Sequence, residues 1–239
     1  MNIYSALGLN IDGIEVISFV GGGGKTTTIY TLAEELKSLG KRVLITTTTK
    51  ISGDKSGCDY YILENIDKNF SPEYGSISIF GERIKGPKLE GPTLEKLDEI
   101  IDRNIFDIIL IEADGAKQRP IKAMNHHEPV ISKYSTKTFG LIGMDCLDQT
   151  IEDIVHRPEI FINIVNKDLQ EKVEEEDIVK LALHPQGIFK DAVGERFLFL
   201  NKIPDENTII RGNKIRNGLL EKNFQGKVII GDIQRGEFC

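Results

Sequence analysis

With 239 residues, 40% of them hydrophobic and 28% charged, the chain has the composition of a folded globular protein and the length for one α/β domain with a substantial core. Its 30 basic and 37 acidic side chains leave a net charge of −7, so no overall basic field invites nucleic acid. No apolar run approaches the roughly 18 residues of a membrane span, no signal peptide opens the chain, and three scattered cysteines, Cys58, Cys146 and Cys239, fit reduced thiols in a cytoplasmic protein.

Residues 1–13 read as a lead-in, with Asp12 and Gly13 as a turn. The apolar run at 16–20 then predicts a strand that stops at Gly21, Gly22, Gly23 and Gly24. A helix is expected over 25–39, because Ile29, Leu32, Ala33, Leu36 and Leu39 recur at helical spacing and Gly40 ends the pattern. A strand, a glycine loop and a helix in this order form a cradle for a phosphate chain, in which backbone N–H groups and the helix N-terminus face the anion. On that reading the four glycines and Thr27 hold the phosphates of ATP or GTP, Lys25 reaches the outer phosphates, and the Thr26 hydroxyl ligates Mg²⁺. The spacing departs from G-x-x-x-x-G-K-[ST]: Phe19 stands where the first glycine belongs, and Val20 stands where K-G-G-x-G-K-[ST] has its leading lysine. A plain glycine turn is the alternative.

A second strand at 42–48 completes a βαβ unit and implies a parallel sheet. The run Thr46, Thr47, Thr48, Thr49, Lys50 falls at the strand end that faces a ligand in such sheets, and Thr49 and Lys50 become candidates for a second anion or substrate. Ordinary strand threonines are the plainer reading. Residues 51–92 look like an irregular insertion, with short strands at 60–63 and 76–80 and a loop or hairpin punctuated by Gly81, Gly86, Pro87, Gly91 and Pro92. A helix is expected over 93–103 with Thr93 as its cap. The continuous apolar strand at 107–112 ends in Glu112, placed as a Mg²⁺ carboxylate, and Asp114 follows as a residue that ligates through water or positions a nucleophile. Lys117, Arg119 and Lys122 come next and suggest an anion site, a solvated basic loop being the alternative.

His126 and His127 are adjacent, with no further metal ligand at a useful spacing, and read as loop residues. A strand at 137–144 follows, then a turn at His156 and Arg157 that opens a helix at Pro158. The charged run 171–177 reads as the solvated start of a helix that ends at His184 and Pro185. A strand at 196–200 ends in Asn201-Lys202-Ile203-Pro204-Asp205, one residue longer than the guanine-reading N-K-x-D. Asn201 and Lys202 are kept as nucleotide contacts, while the inference of guanine is slight. Asn166-Lys167-Asp168 lacks the spacer altogether. A helix over 206–224, interrupted at Gly212 and Gly218, and a strand at 227–230 complete the pattern. The fold class is α/β, a mostly parallel sheet flanked by helices in a three-layer, P-loop NTPase-like sandwich, as one domain over 1–239.

The stretches FVGGGGKTT, LITTTTKI, IEADGAKQRPIKA, HEPVI, VHRPE, HPQGIFK and LNK, in that order, resemble the YqeC family, named as accessory proteins of selenium-dependent molybdenum hydroxylases. The resemblance implies a P-loop NTPase-like fold and a role in maturing or supplying a molybdenum hydroxylase and its cofactor. It makes that hydroxylase, or its cofactor-maturation machinery, the expected partner, with neither nucleic acid nor membrane. The leading functional reading is a Mg²⁺-dependent nucleotide-binding protein and slow NTPase, with Lys25 and Asp114 as its catalytic residues. Two others stay open: a kinase or nucleotidyl-type transferase acting on a small anionic, pterin-like substrate, and a non-hydrolysing chaperone switched by nucleotide. The base, the acceptor and a homodimer across the nucleotide stay open too.

Overall fold

The computed structural model describes residues 2–53 and 56–239; Met1 of the lead-in and residues 54 and 55 of the 51–92 stretch lie outside them. In chain order the first elements are α1 (Ile3–Ala6), β1 (Glu15–Gly21), α2 (Lys25–Ser38), β2 (Arg42–Thr47), β3 (Lys50–Ser52), β4 (Tyr60–Leu63) and β5 (Ser76–Gly81). Then come β6 (Arg83–Lys85), β7 (Lys88–Glu90), α3 (Leu94–Asp102), β8 (Ile108–Glu112), β9 (Ile121–Lys122) and β10 (Lys137–Gly143). The rest are α4 (Ile151–Ile154), β11 (Val155–His156), α5 (Pro158–Val165), α6 (Glu175–Leu183), β12 (Glu195–Asn201), α7 (Glu206–Glu221), β13 (Lys227–Asp232) and β14 (Glu237–Phe238).

Nine strands form one sheet in the order β14-β13-β12-β10-β1-β8-β2-β5-β4. Every neighbouring pair is parallel except β13 and β14. The 51–92 stretch supplies β4 and β5 to this sheet, and β6 and β7 to a small antiparallel sheet with β3. The class is therefore α/β, with a mostly parallel sheet between helices.

β1 shows why the layers form. All seven of its residues are buried, and the two-residue period sends alternate side chains to opposite faces. Ile17 and Phe19 pack with Ile29, Leu32, Ala33 and Leu36 of α2. On the other face Val16 meets Leu97, Ile100 and Ile101 of α3, and Val20 joins Phe161 of α5, Leu181 of α6 and Leu219 of α7. Phe19, Phe139 and Phe197 sit opposite one another on three neighbouring strands, and their rings stack at 5.5 and 4.7 Å between centroids. Offset stacking of this kind adds to simple area burial.

Several local expectations change. The lead-in contains α1, whose first N–H groups, on Ile3 and Tyr4, donate to the Glu35 carboxylate at 2.9 and 3.0 Å. Helix α7 runs through Gly212 and Gly218 without a break; a Cβ at Gly212 would stand 3.1 Å from Ile230, so the missing side chain lets the helix lie close to β13. The 171–177 run is not simply solvated: Asp177 is 1% exposed, completes a capping box with Glu174 and pairs with Lys167 at 2.8 Å. Among the described residues no helix is long and apolar enough to cross a membrane.

Candidate functional site

The C-terminal ends of β1, β8, β10 and β12 meet at one edge of the sheet, and the glycine loop lies across it. The loop is held by main chain from distant segments. A Cβ at Gly22 would stand 2.5 Å from Arg119 O, and one at Gly23 would stand 2.1 Å from Gly143 N. Gly21 N–H donates to Asp114 Oδ2 at 2.9 Å, Gly22 N–H to Leu141 O at 2.9 Å, and Gly23 N–H to Arg119 O at 3.2 Å. These three N–H groups, assigned to phosphate from the sequence, are thus consumed inside the protein. Those of Gly24, Lys25, Thr26 and Thr27 have no acceptor among the described residues. They form the first turn of α2, where orphan donors and the helix dipole favour an anion. The unpartnered donors therefore begin at the last of the four glycines.

Lys25 is turned back. Its ammonium donates to Gly21 O and stands 2.8 Å from Asp114 Oδ1, with both side chains buried. Asp114 is fully buried and also faces Lys122 at 3.1 Å. Lys122, expected beside an anion site, is equally buried and donates to Gly115 O and Glu128 Oε2, each at 2.6 Å. Arg157, a left-handed residue at the start of α5, closes the series on Glu128. Burial opposes ionisation of Glu128, yet the hydrogen bonds from Arg157 and Lys122 prevail and hold its carboxyl below the usual range. Lys190 clamps the same loop by donating to the carbonyls of Asn125, His126 and Glu128 at 2.8, 3.0 and 3.1 Å. His126 and His127 are exposed on that loop. Asp114, as placed, braces the glycine loop and does not line the cleft above it.

Thr26 and Glu112 do line that cleft, and the Thr26 hydroxyl donates to Glu112 Oε2 at 2.7 Å. Burial pushes the Glu112 carboxyl up, against the Lys25 charge and the Thr26 hydrogen bond. A buried carboxylate beside a hydroxyl offers the hard oxygen donors that Mg²⁺ takes. The donor set fits that ion.

The cleft encloses ≈ 750 Å³, and among the described residues Glu112 is the one acidic residue of its lining, against Lys25, Lys50, Lys88, Lys117, Arg119 and Lys202. Lys50 pairs with Glu90 at 2.8 Å and Lys202 with Asp145 at 2.7 Å. Lys88, Lys117 and Arg119 have no carboxylate partner among the described residues. Thr49 does not line the cleft, and its hydroxyl lies 3.3 Å from that of Thr47. Thr46, Thr47 and Thr48 donate to Phe80 O, Glu112 O and Val130 O, so the threonine run ties strands together. Asn201 is buried: its amide donates to Gly23 O at 2.8 Å and accepts from Ile233 N at 3.1 Å, which makes it a brace under the loop. Asp205 caps α7 by accepting from Thr208 N at 2.8 Å. Lys88 and Ser52, both in the lining, were not singled out in the sequence; only pairing of β3 with β7 brings them to the site.

The sequence profile of the family described as YqeC protein matches residues 17–159. That is more than half of the chain, and it contains the glycine loop, Glu112, Asp114, Lys122, Glu128 and Arg157. The chain belongs to the YqeC family. It is also 33% identical over 227 residues to a protein of Escherichia coli (strain K12) that bears the name Uncharacterized protein YqeC, a match covering 92% of this chain and 88% of that one. The matched 17–159 segment stops before Asn201 and Lys202.

Proposed function

We propose that this YqeC protein binds a nucleoside triphosphate with Mg²⁺, hydrolyses it slowly, and uses it in the maturation or cofactor supply of a selenium-dependent molybdenum hydroxylase. The observation that carries the nucleotide reading is the first turn of α2. Four N–H groups without acceptors open there onto a cationic cleft, in a protein whose net charge is −7. Phosphate oxygens satisfy those donors, while Thr26 and Glu112 supply the protein oxygens for Mg²⁺. The ion contributes charge neutralisation and orientation of the phosphates. Lys25 must exchange Asp114 and Gly21 O for a phosphate oxygen before it can stabilise charge on a transferring group. That exchange opposes part of the binding free energy and fits slow turnover.

Calorimetric titration with ATP and with GTP, with and without Mg²⁺, tests the reading. Binding is expected to depend on Mg²⁺ and to weaken roughly tenfold or more in Thr26→Ala, about 1.4 kcal/mol. Absence of Mg²⁺-dependent binding of either nucleotide overturns it. The hydroxylase as client rests on the family resemblance, and co-purification of a hydroxylase or its cofactor-transfer partner checks it. Lys117 and Arg119, without a carboxylate partner among the described residues, favour a second reading: transfer of a phosphoryl or nucleotidyl group to a small anionic acceptor. Release of only nucleoside diphosphate and free phosphate with every acceptor counts against transfer. The two arrangements open to Lys25 favour a third, a nucleotide switch without hydrolysis, which requires partner capture to vary with nucleotide state.

A further inference from the structure

The hairpin of β6 and β7, with β3, forms a small antiparallel sheet beside the cleft. Leu89 anchors it: the side chain is fully buried, in one cluster with Ile51 and Ile79. Two neighbouring glycines let the hairpin sit so closely. A Cβ at Gly81 would stand 2.4 Å from Leu89 Cδ1, and one at Gly91 would stand 1.8 Å from Thr47 O at the end of β2. Strand side chains alternate, so burying Leu89 turns Lys88 and Glu90 to the opposite side. Glu90 pairs with Lys50 at 2.8 Å and with Arg83 at 2.5 Å, and hydrogen bonds from these two cations hold its carboxyl down to about 2. Lys88 is exposed and has no carboxylate partner among the described residues. It lines the cleft together with Glu112 and the first turn of α2, and its charge acts on Glu112 to favour the ionised form.

Three facts converge on this side chain. The glycine loop offers one lysine, Lys25, and it is engaged by Asp114 and Gly21 O. The position before the glycines that could hold another is Val20. A Mg²⁺-bound triphosphate keeps negative charge at its outer end, which calls for a further cation. We propose that Lys88 binds the outermost phosphate of a nucleotide whose inner phosphates rest on the first turn of α2. The hairpin, not the glycine loop, then supplies the second lysine of the site. This rests on the nucleotide reading and adds to it a contact specific for the terminal phosphate.

Paired titrations of wild type, Lys88→Ala and Lys88→Arg with ATP and ADP, and with GTP and GDP, in Mg²⁺ buffer decide it. Wild type is expected to prefer triphosphate over diphosphate. Lys88→Ala is expected to lose about tenfold or more in triphosphate affinity with diphosphate affinity within about twofold, and Lys88→Arg to recover most of the loss. The melting temperature is expected to be unchanged, since the side chain is exposed. Equal losses for both ligands, an unchanged preference in Lys88→Ala, or no preference in wild type each overturn the contact while nucleotide binding itself stands. If wild type binds neither ligand, the nucleotide reading fails and the contact with it.

Discussion

Glu15 and Glu112 are buried glutamates on neighbouring strands, 3% and 7% exposed, at opposite ends of the same parallel sheet. Glu15 opens β1 opposite Ile108, and Glu112 closes β8 opposite Phe19, roughly 13 Å farther along. Their surroundings differ in kind. The Glu15 carboxylate accepts from the Lys137 ammonium, from the Thr136 hydroxyl, and from Asn10 N at 3.0 Å. Among the described residues the side-chain donor to Glu112 is the Thr26 hydroxyl at 2.7 Å, and burial pushes its carboxyl up. At one end the charge is closed by the chain itself; at the other, on the proposed reading, Mg²⁺ answers it. A buried carboxylate with a full set of donors belongs to the framework, and one without them, beside unpartnered N–H groups, belongs to a site.

The most severe way to break the contrast is to remove a framework partner. Lys137→Met leaves the Glu15 charge buried without its cation and is expected to cost about 3–5 kcal/mol, measured by urea denaturation. Nucleotide affinity of the folded fraction is expected to stay within about twofold. A loss under about 1 kcal/mol would erase the contrast from the Glu15 side. Asp114→Asn is the intermediate case. Asp114 lies at the cleft end but is wired like Glu15, between Lys25 and Lys122, so a stability loss of the same order is expected.

Glu112→Gln comes next in size. It keeps the shape and an acceptor for Thr26 while removing the charge. The Mg²⁺-dependent part of nucleotide affinity is expected to fall about tenfold, near 1.4 kcal/mol, with no loss of stability in metal-free buffer. A destabilisation as large as that of Lys137→Met would make Glu112 framework after all.

Sequence alone exposed one side of this contrast better than the other. β1, β2, β8, β10 and β12 were readable because strands buried on both faces are continuous apolar runs, and α2 and α3 because their apolar faces repeat at helical spacing. That Thr26 and Glu112 share one cleft was readable too, as each stands where a strand or loop reaches the C-terminal edge of the sheet. What stayed hidden depends on partners far away in the chain. The acceptors for the glycine N–H groups are Leu141 O and Arg119 O, and Asp114 is claimed by Lys122 after a turn through Lys117 and Gln118, both left-handed. Lys88 carries no motif at all. Its role comes from the burial of Leu89 beside it, which only the seating of the hairpin explains. Asp205, one residue too far along for N-K-x-D, has a local use that the motif does not announce: it caps α7.

The smallest effect expected is the pH dependence that Glu112 gives the fold. The Glu112 carboxyl is raised from an ordinary 4.5 first by burial and then by the Asp114 charge, against Lys25, Thr26 and Lys88. The folded chain therefore keeps this proton to higher pH than the unfolded chain does. Its contribution to stability is fully present below the unfolded value and is lost as pH rises through the folded one. Mg²⁺ competes with the proton for the same oxygens and should restore stability where the carboxylate is ionised. Melting temperatures of wild type and Glu112→Gln, from about pH 4.5 to 8 with chelator and with Mg²⁺, measure this. Wild type should match Glu112→Gln at the acid end, fall below it as pH rises in chelator, and recover in Mg²⁺. A difference that ignores both pH and Mg²⁺ would mean that Glu112, like Glu15, has its charge already answered within the chain.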